Sequence, residues 1–191
     1  MTKKYFLSLI FLSSTLLTAR ADIIPTLDSI TNAGSNFQWN YSVNVTLDQQ
    51  VRTGDFFTIF DFAGFVPGSA MQPEGWLFSS SLIGLTPPTV LPQDDPGIFN
   101  LTWTYVGTTP IVGPQFLGIF SAISDTNQLG IDNFAARATR STGSLAGTPI
   151  DNIGLIAVPV PEMSALAPII GVSGLAALGF FSSLIRRRRL S

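Results

Sequence analysis

Residues 37–48 read Phe-Gln-Trp-Asn-Tyr-Ser-Val-Asn-Val-Thr-Leu-Asp, apolar at every odd position and polar at every even one. A period of two carried by aromatic and β-branched side chains belongs to an antiparallel strand with one face on a core and the other in water. Trp39, Tyr41 and Val43 are therefore expected on one buried face. Residues 49–55 break the pattern, and 56–62 resume it as a more uniformly apolar run, as a centrally buried strand does, ended by Gly64, Pro67 and Gly68. Residues 76–82, 99–105, 116–123 and 134–139 predict further strands, with Pro87-Pro88, Pro92 and the turn Asp94-Asp95-Pro96-Gly97 as punctuation. In 134–139 the alternation puts Phe134, Ala136 and Ala138 inside and Arg137 and Thr139 outside, although so alanine-rich a run also suits a short helix. Residues 150–158 supply a last strand, after which Pro159 and Pro161 are expected to stop pairing and begin an extended linker.

No segment sustains a 3.6-residue period. Several short strands separated by Gly, Pro, Asn and Asp turns predict an all-β fold, an antiparallel sandwich of jelly-roll or immunoglobulin-like type. Trp39-Asn40-Tyr41 and Trp103-Thr104-Tyr105 are similar pieces, better explained as aromatic-rich core strands than as a duplicated module.

The two ends follow other patterns. Lys3 and Lys4 precede an apolar stretch of 14 residues, 5–18, and Ala19 and Ala21 flank Arg20 at the spacing a signal peptidase reads. Residues 1–21 are thus expected to be a secretory signal cleaved after Ala21, the apolar stretch being short for a retained span. Residues 165–185 are 21 uncharged residues. At about 1.5 Å per residue they make a helix of roughly 31 Å, enough for a hydrocarbon core about 30 Å thick. Arg186, Arg187, Arg188 and Arg189 follow as a basic stop in the cytoplasmic tail 186–191, which puts everything before the helix on the outer side of the membrane.

Between the exported part and that helix lies Val-Pro-Val-Pro-Glu-Met-Ser, residues 158–164. The motif, the apolar helix and the arginine cluster together resemble the PEP-CTERM sorting signal of Gram-negative bacteria, over about the last 30 residues of the chain. Pro161 and Glu162 match the motif, and Met163 stands where the second proline belongs. The resemblance implies an exosortase substrate, held in the inner membrane as a precursor and then placed at the envelope surface or outside the cell, in an exopolysaccharide or biofilm setting. A plain type I anchor fits the same hydropathy and charge.

Removing both targeting segments changes the composition. Between Asp22 and Glu162 lie three basic residues, Arg52, Arg137 and Arg140, against all twelve acids, a net charge of −9. Such a surface repels phosphate backbones, so no nucleic-acid partner is expected. The 137 residues 22–158 form one domain, long enough to bury a core, and with no Cys in the chain it must hold together without disulfides.

The chain has no His and no Cys, and its lysines lie in the signal segment. Ser-His-Asp and Cys-His units, Ser-Lys dyads, Schiff bases and His/Cys zinc sites are therefore beyond the exported part. Paired-carboxylate chemistry on a polysaccharide is compatible with Asp48, Asp55, Asp61, Glu74, Asp94, Asp95, Asp125 and Asp132, but their spacing selects no pair. Residues 125–130 begin like a calcium loop, yet Leu129 and Ala136 fall where oxygen ligands belong, so a turn is expected. No catalytic residue, metal or cofactor is assigned.

Three readings remain. The first is a non-enzymatic envelope or extracellular-matrix protein, with the membrane, signal peptidase and exosortase as its partners and extracellular polysaccharide as its setting. The second is a carbohydrate-binding module or adhesin, which would display Trp76 or Phe78 as a flat exposed platform. The third is a polysaccharide hydrolase or lyase with two facing carboxylates.

Overall fold

A computed structural model describes residues 22–161. Among these residues there are ten strands and no helix. They are β1 (Ile23–Ala33), β2 (Asn36–Val45), β3 (Gln49–Val51), β4 (Phe56–Ile59), β5 (Trp76–Ser81), β6 (Asn100–Tyr105), β7 (Ile111–Val112), β8 (Gln115–Ser124), β9 (Leu129–Arg140) and β10 (Pro149–Pro159). All pairings are antiparallel. One sheet has the order β1-β2-β8, and the segment after β4 extends it through bridges from Phe65 to Ser124 and from Met71 to Ser121. The other runs β5-β6-β4-β9-β10, with β3 replacing β4 beside the last residues of β9 and β7 beside β3. The sheets face each other as a curled half-barrel, sandwich-like in its packing, with β1 drawn against β9 and β10.

Alternation in β2 does what its pattern requires: Trp39, Tyr41, Val43 and Val45 are buried. Across the gap the larger sheet presents Phe57, Ile59, Leu101, Trp103 and Phe134. Phe57 and Trp76 meet Phe120 of β8 edge-on, each with ring centroids 5.0 Å apart, so the two layers are joined through aromatics. Tyr41 donates its hydroxyl hydrogen to the Ala157 carbonyl at 3.1 Å and Trp39 donates Nε1–H to the Thr126 carbonyl at 3.2 Å, which gives both buried polar tips a partner.

Several boundaries differ from the sequence reading, each for a local reason. β2 ends at Val45, because Asp48 turns the chain with φ of 64° and leaves Leu47 exposed. β4 ends at Ile59 instead of running through residue 62, because Asp61 takes φ of 52°, a left-handed conformation that breaks a strand. β10 does not stop at residue 158: Pro159 still pairs with Leu129, its carbonyl accepts the Ala63 N–H at 3.2 Å, and the Val160 N–H reaches the Gln128 carbonyl at 2.9 Å. The 134–139 run is strand, inside the longer β9.

The outer face of the larger sheet is not left to water as alternation implies. Ala135 and Thr139, which share that face with Arg137, are both buried. Residues 82–99 cross it: Thr58 Oγ1 lies 2.9 Å from Thr102 Oγ1 and donates to the Leu85 carbonyl at 2.7 Å, and Thr89 Oγ1 donates to Asp151 at 2.8 Å.

Candidate functional site

β10 carries the chain out of the sandwich at Pro161, the one residue of the Pro161-Glu162-Met163 motif among those described. Pro161 borders a cleft of about 640 Å³ walled by Phe62, Phe65, Ile98 and Phe99, with Asp125 and Thr126 at its polar side. Gly64 permits this geometry. Its φ is +63°, and a β-carbon there would stand 1.8 Å from Asp125 Oδ1. Residues 125–128 form the turn from β8 into β9, closed by Thr126 N–H on Ser124 Oγ and Gln128 N–H on Thr126 Oγ1, both at 3.1 Å, while Leu129 and Gly130 already belong to β9. Glu162, Met163, Arg186, Arg187, Arg188, Arg189, Ala19 and Ala21 lie outside the described residues, as do the expected signal segment and the 165–185 span. Among the described residues no helix is long and apolar enough to cross a membrane.

The fold gathers four of the eight candidate carboxylates and scatters the rest. Asp61 Oδ1 accepts the Asp95 N–H at 2.9 Å, and the Asp61 N–H donates to Asn100 Oδ1 at 2.9 Å. Asn100 in turn donates Nδ2–H to Asp94 Oδ1 at 2.8 Å, while Asp94 Oδ2 accepts the Gly84 N–H at 3.0 Å. Burial, with the nearby Asp132, Asp94 and Asp95 carboxylates adding to it, raises the Asp61 pKa to about 6 against the lowering effect of the Asp95 N–H. These oxygens are engaged in pinning residues 82–99 to the sheet. Among the described residues no three carboxylates, histidines or cysteines are grouped so as to hold a metal ion.

Asp55 lies elsewhere, at the end of the turn from β3 to β4, where Gly54 with φ of +93° lets the chain reverse. Its carboxylate accepts the Arg52 N–H at 2.8 Å and the Thr139 hydroxyl at 3.0 Å. Burial raises its pKa despite those bonds and the charges of Arg137 and Arg52. Thr139, expected outside in water, is thus covered by this turn. Beside it Arg137 holds Asp151 by two bonds, Nε to Oδ1 at 2.7 Å and Nη2 to Oδ2 at 3.0 Å. Asp48 accepts from Thr142 at the far end of β2, and Glu74 sits apart on an exposed stretch.

The aromatic platform is absent from the predicted place. Trp76 is 6% exposed and packs on Phe57, Tyr105 and Phe120, and the half-buried Phe78 packs on Phe65 and Trp103. Both face the core because β5, though an edge strand, closes the sandwich at that side. The Asp61–Asp95 and Asp55–Thr139 contacts escaped the sequence reading because their partners are 34 and 84 residues apart, so no local spacing marks them. No protein-family model matches the chain, and neither a curated protein nor a solved structure does.

Proposed function

We propose that the chain is an exported, non-enzymatic envelope or extracellular-matrix protein of a Gram-negative bacterium, sorted through its PEP-CTERM-like tail. Residues 1–21 serve as its signal peptide, 22–158 as a β-sandwich of jelly-roll or immunoglobulin-like type, 159–164 as linker and motif, 165–185 as a transmembrane helix and 186–191 as the cytoplasmic tail. One observation supports the reading: the described strands begin just after the proposed signal cleavage site and end just before the proposed motif. β1 begins at Ile23, two residues after Ala21, and the Asp22 nitrogen already donates to Thr46 Oγ1 at 2.7 Å. The ammonium created by cleavage after Ala21 keeps that donor. At the other end β10 stops at Pro159, and Pro161 is exposed beside its cleft. Signal peptidase and exosortase could each remove a segment without withdrawing any of the ten described strands.

A non-enzymatic role is supported by the missing His, Cys and exported Lys, and by carboxylates spent on holding a loop. The platform on which a carbohydrate-binding reading rested is lost with Trp76 in the core.

The test places one tag before Pro159 and another after Ser191 and follows both in a host with active exosortase. Separation of the tags in the parent chain, and their co-migration in a Glu162→Ala variant that still inserts, is the expected result. Co-migration in both would leave a type I anchor.

A further inference from the structure

The exported domain is acidic, yet two of its three arginines line one cleft. This cleft, of about 410 Å³, lies over the end of β9 and is bordered by Arg52, Arg137, Thr108, Pro110 and Pro149, with Asp55 and Thr139 in its floor. Arg137 is fixed there: Asp151 grips one edge of its guanidinium, Thr89 steadies Asp151, and 27% of the Arg137 side chain stays exposed. Arg52 stands on the neighbouring turn, held by its backbone through Asp55, and its side chain is exposed. Among the described residues the only ion pair is that of Arg137 with Asp151, so the Arg52 guanidinium is not held in an ion pair, although the nearby Asp55 feels its charge.

We propose that this cleft binds a carboxylated sugar unit of the uronic-acid type. Its carboxylate bridges the guanidinium of Arg52 and the unengaged edge of Arg137, a geometry in which planar forks bind carboxylates well. Its hydroxyls find the exposed Thr108 hydroxyl, and the exposed rings of Pro110 and Pro149 offer apolar faces to the C–H side of a pyranose. Pockets of roughly 300–1,000 Å³ bury ligands of small-molecule size, so one or two sugar units fit. A phosphate dianion doubles its attraction to the two cations and its repulsion from Asp151, Asp55 and the acidic domain alike, so charge alone does not select the ligand. The ring contacts with Thr108, Pro110 and Pro149, which inorganic phosphate lacks, are what favour a uronate. At physiological salt the screening length is about 8 Å, which leaves the near arginines to dominate over distant acids. The inference is independent of how the tail is processed.

The experiment is calorimetric titration of the full chain in detergent micelles at about 0.15 M salt with glucuronate, an oligoglucuronate, glucose and inorganic phosphate. Saturable binding of both uronates is expected, with phosphate weaker and glucose silent. Arg52→Ala should lower uronate affinity about tenfold or more, Arg52→Lys should retain part of it, and Arg140→Ala, outside the cleft, should bind as the parent does. Arg52 is exposed and packs on nothing in the core, so its variants should keep the parent circular dichroism spectrum. Absence of saturable uronate binding, equal binding of glucose, tighter binding of phosphate, or unchanged affinity in Arg52→Ala would each overturn the assignment.

Discussion

Truncating Trp39 measures how far the two sheets depend on the alternation of β2. The indole is fully buried, lies edge-on to Phe62 with centroids 6.2 Å apart, and donates to the Thr126 carbonyl at 3.2 Å. Trp39→Ala removes the ring, leaves a hole between the layers and strips a buried carbonyl of its donor. Losing a buried aromatic costs about 3–5 kcal/mol, and the orphaned carbonyl adds about 1 kcal/mol. Domains of this size are held by roughly 5–15 kcal/mol, so the variant should lose about a quarter or more of its stability. Trp39→Phe separates the two effects: it keeps most of the packing and drops the donor, for about 1–2 kcal/mol. Urea unfolding of the purified protein, followed by fluorescence of Trp76 and Trp103, gives both values. A cost below about 1 kcal/mol for Trp39→Ala, or equal costs for the two variants, would refute the reasoning.

Asp61→Asn should stabilise the protein at pH 8 by about 1 kcal/mol after screening by solvent, and change little near pH 4. The sign follows from a pKa raised from 3.8 to about 6: the folded state holds the proton more tightly, so the group's contribution is present below about pH 4 and lost as pH rises through 6. Asparagine keeps an acceptor for the Asp95 N–H and tolerates φ of 52°, and melting temperatures at the two pH values check the result. Arg137→Ala strands Asp151, whose side chain is 3% exposed, and should cost about 3–5 kcal/mol, with Asp151→Asn in the same chain recovering part of it in urea unfolding. Burial by itself would push the Asp151 pKa up, but the bonds from Arg137 and Thr89 outweigh it and hold the group below its ordinary value. The stability from this pair is therefore present at neutral pH and lost as pH falls through the acid range below 3.8.

The core was legible where alternation ran without interruption. In β2 the parity of Trp39, Tyr41 and Val43 fixes which side faces the other sheet, and a slip of one residue would expose all three. β1 went unread although it is 11 residues long, because a register shift between Leu27 and Ser29 puts Ile30 out of phase with Ile23 and Leu27. β3 and β7, three and two residues long, are shorter than any periodic signal. The polar sites were less legible still. Thr139 looked solvent-facing, and only the return of the Arg52–Asp55 turn over the outer face of β9 makes it a buried partner of a carboxylate 84 residues away. Trp76 sits in a stretch rich in turn residues, and its burial depends on β6 and β8 meeting around it.

Mass spectrometry of the protein from the envelope and medium of a host with active signal peptidase and exosortase reads both ends of the same molecule, and so bears most directly on the claim that the sandwich is framed by two removable segments. The expected species begins at Asp22 and ends between Pro159 and the 165–185 run, with residues 23–159 intact as one folded piece. A species that retains residues before Asp22, is cut within β1 or β10, or carries Ser191 in every fraction would contradict it.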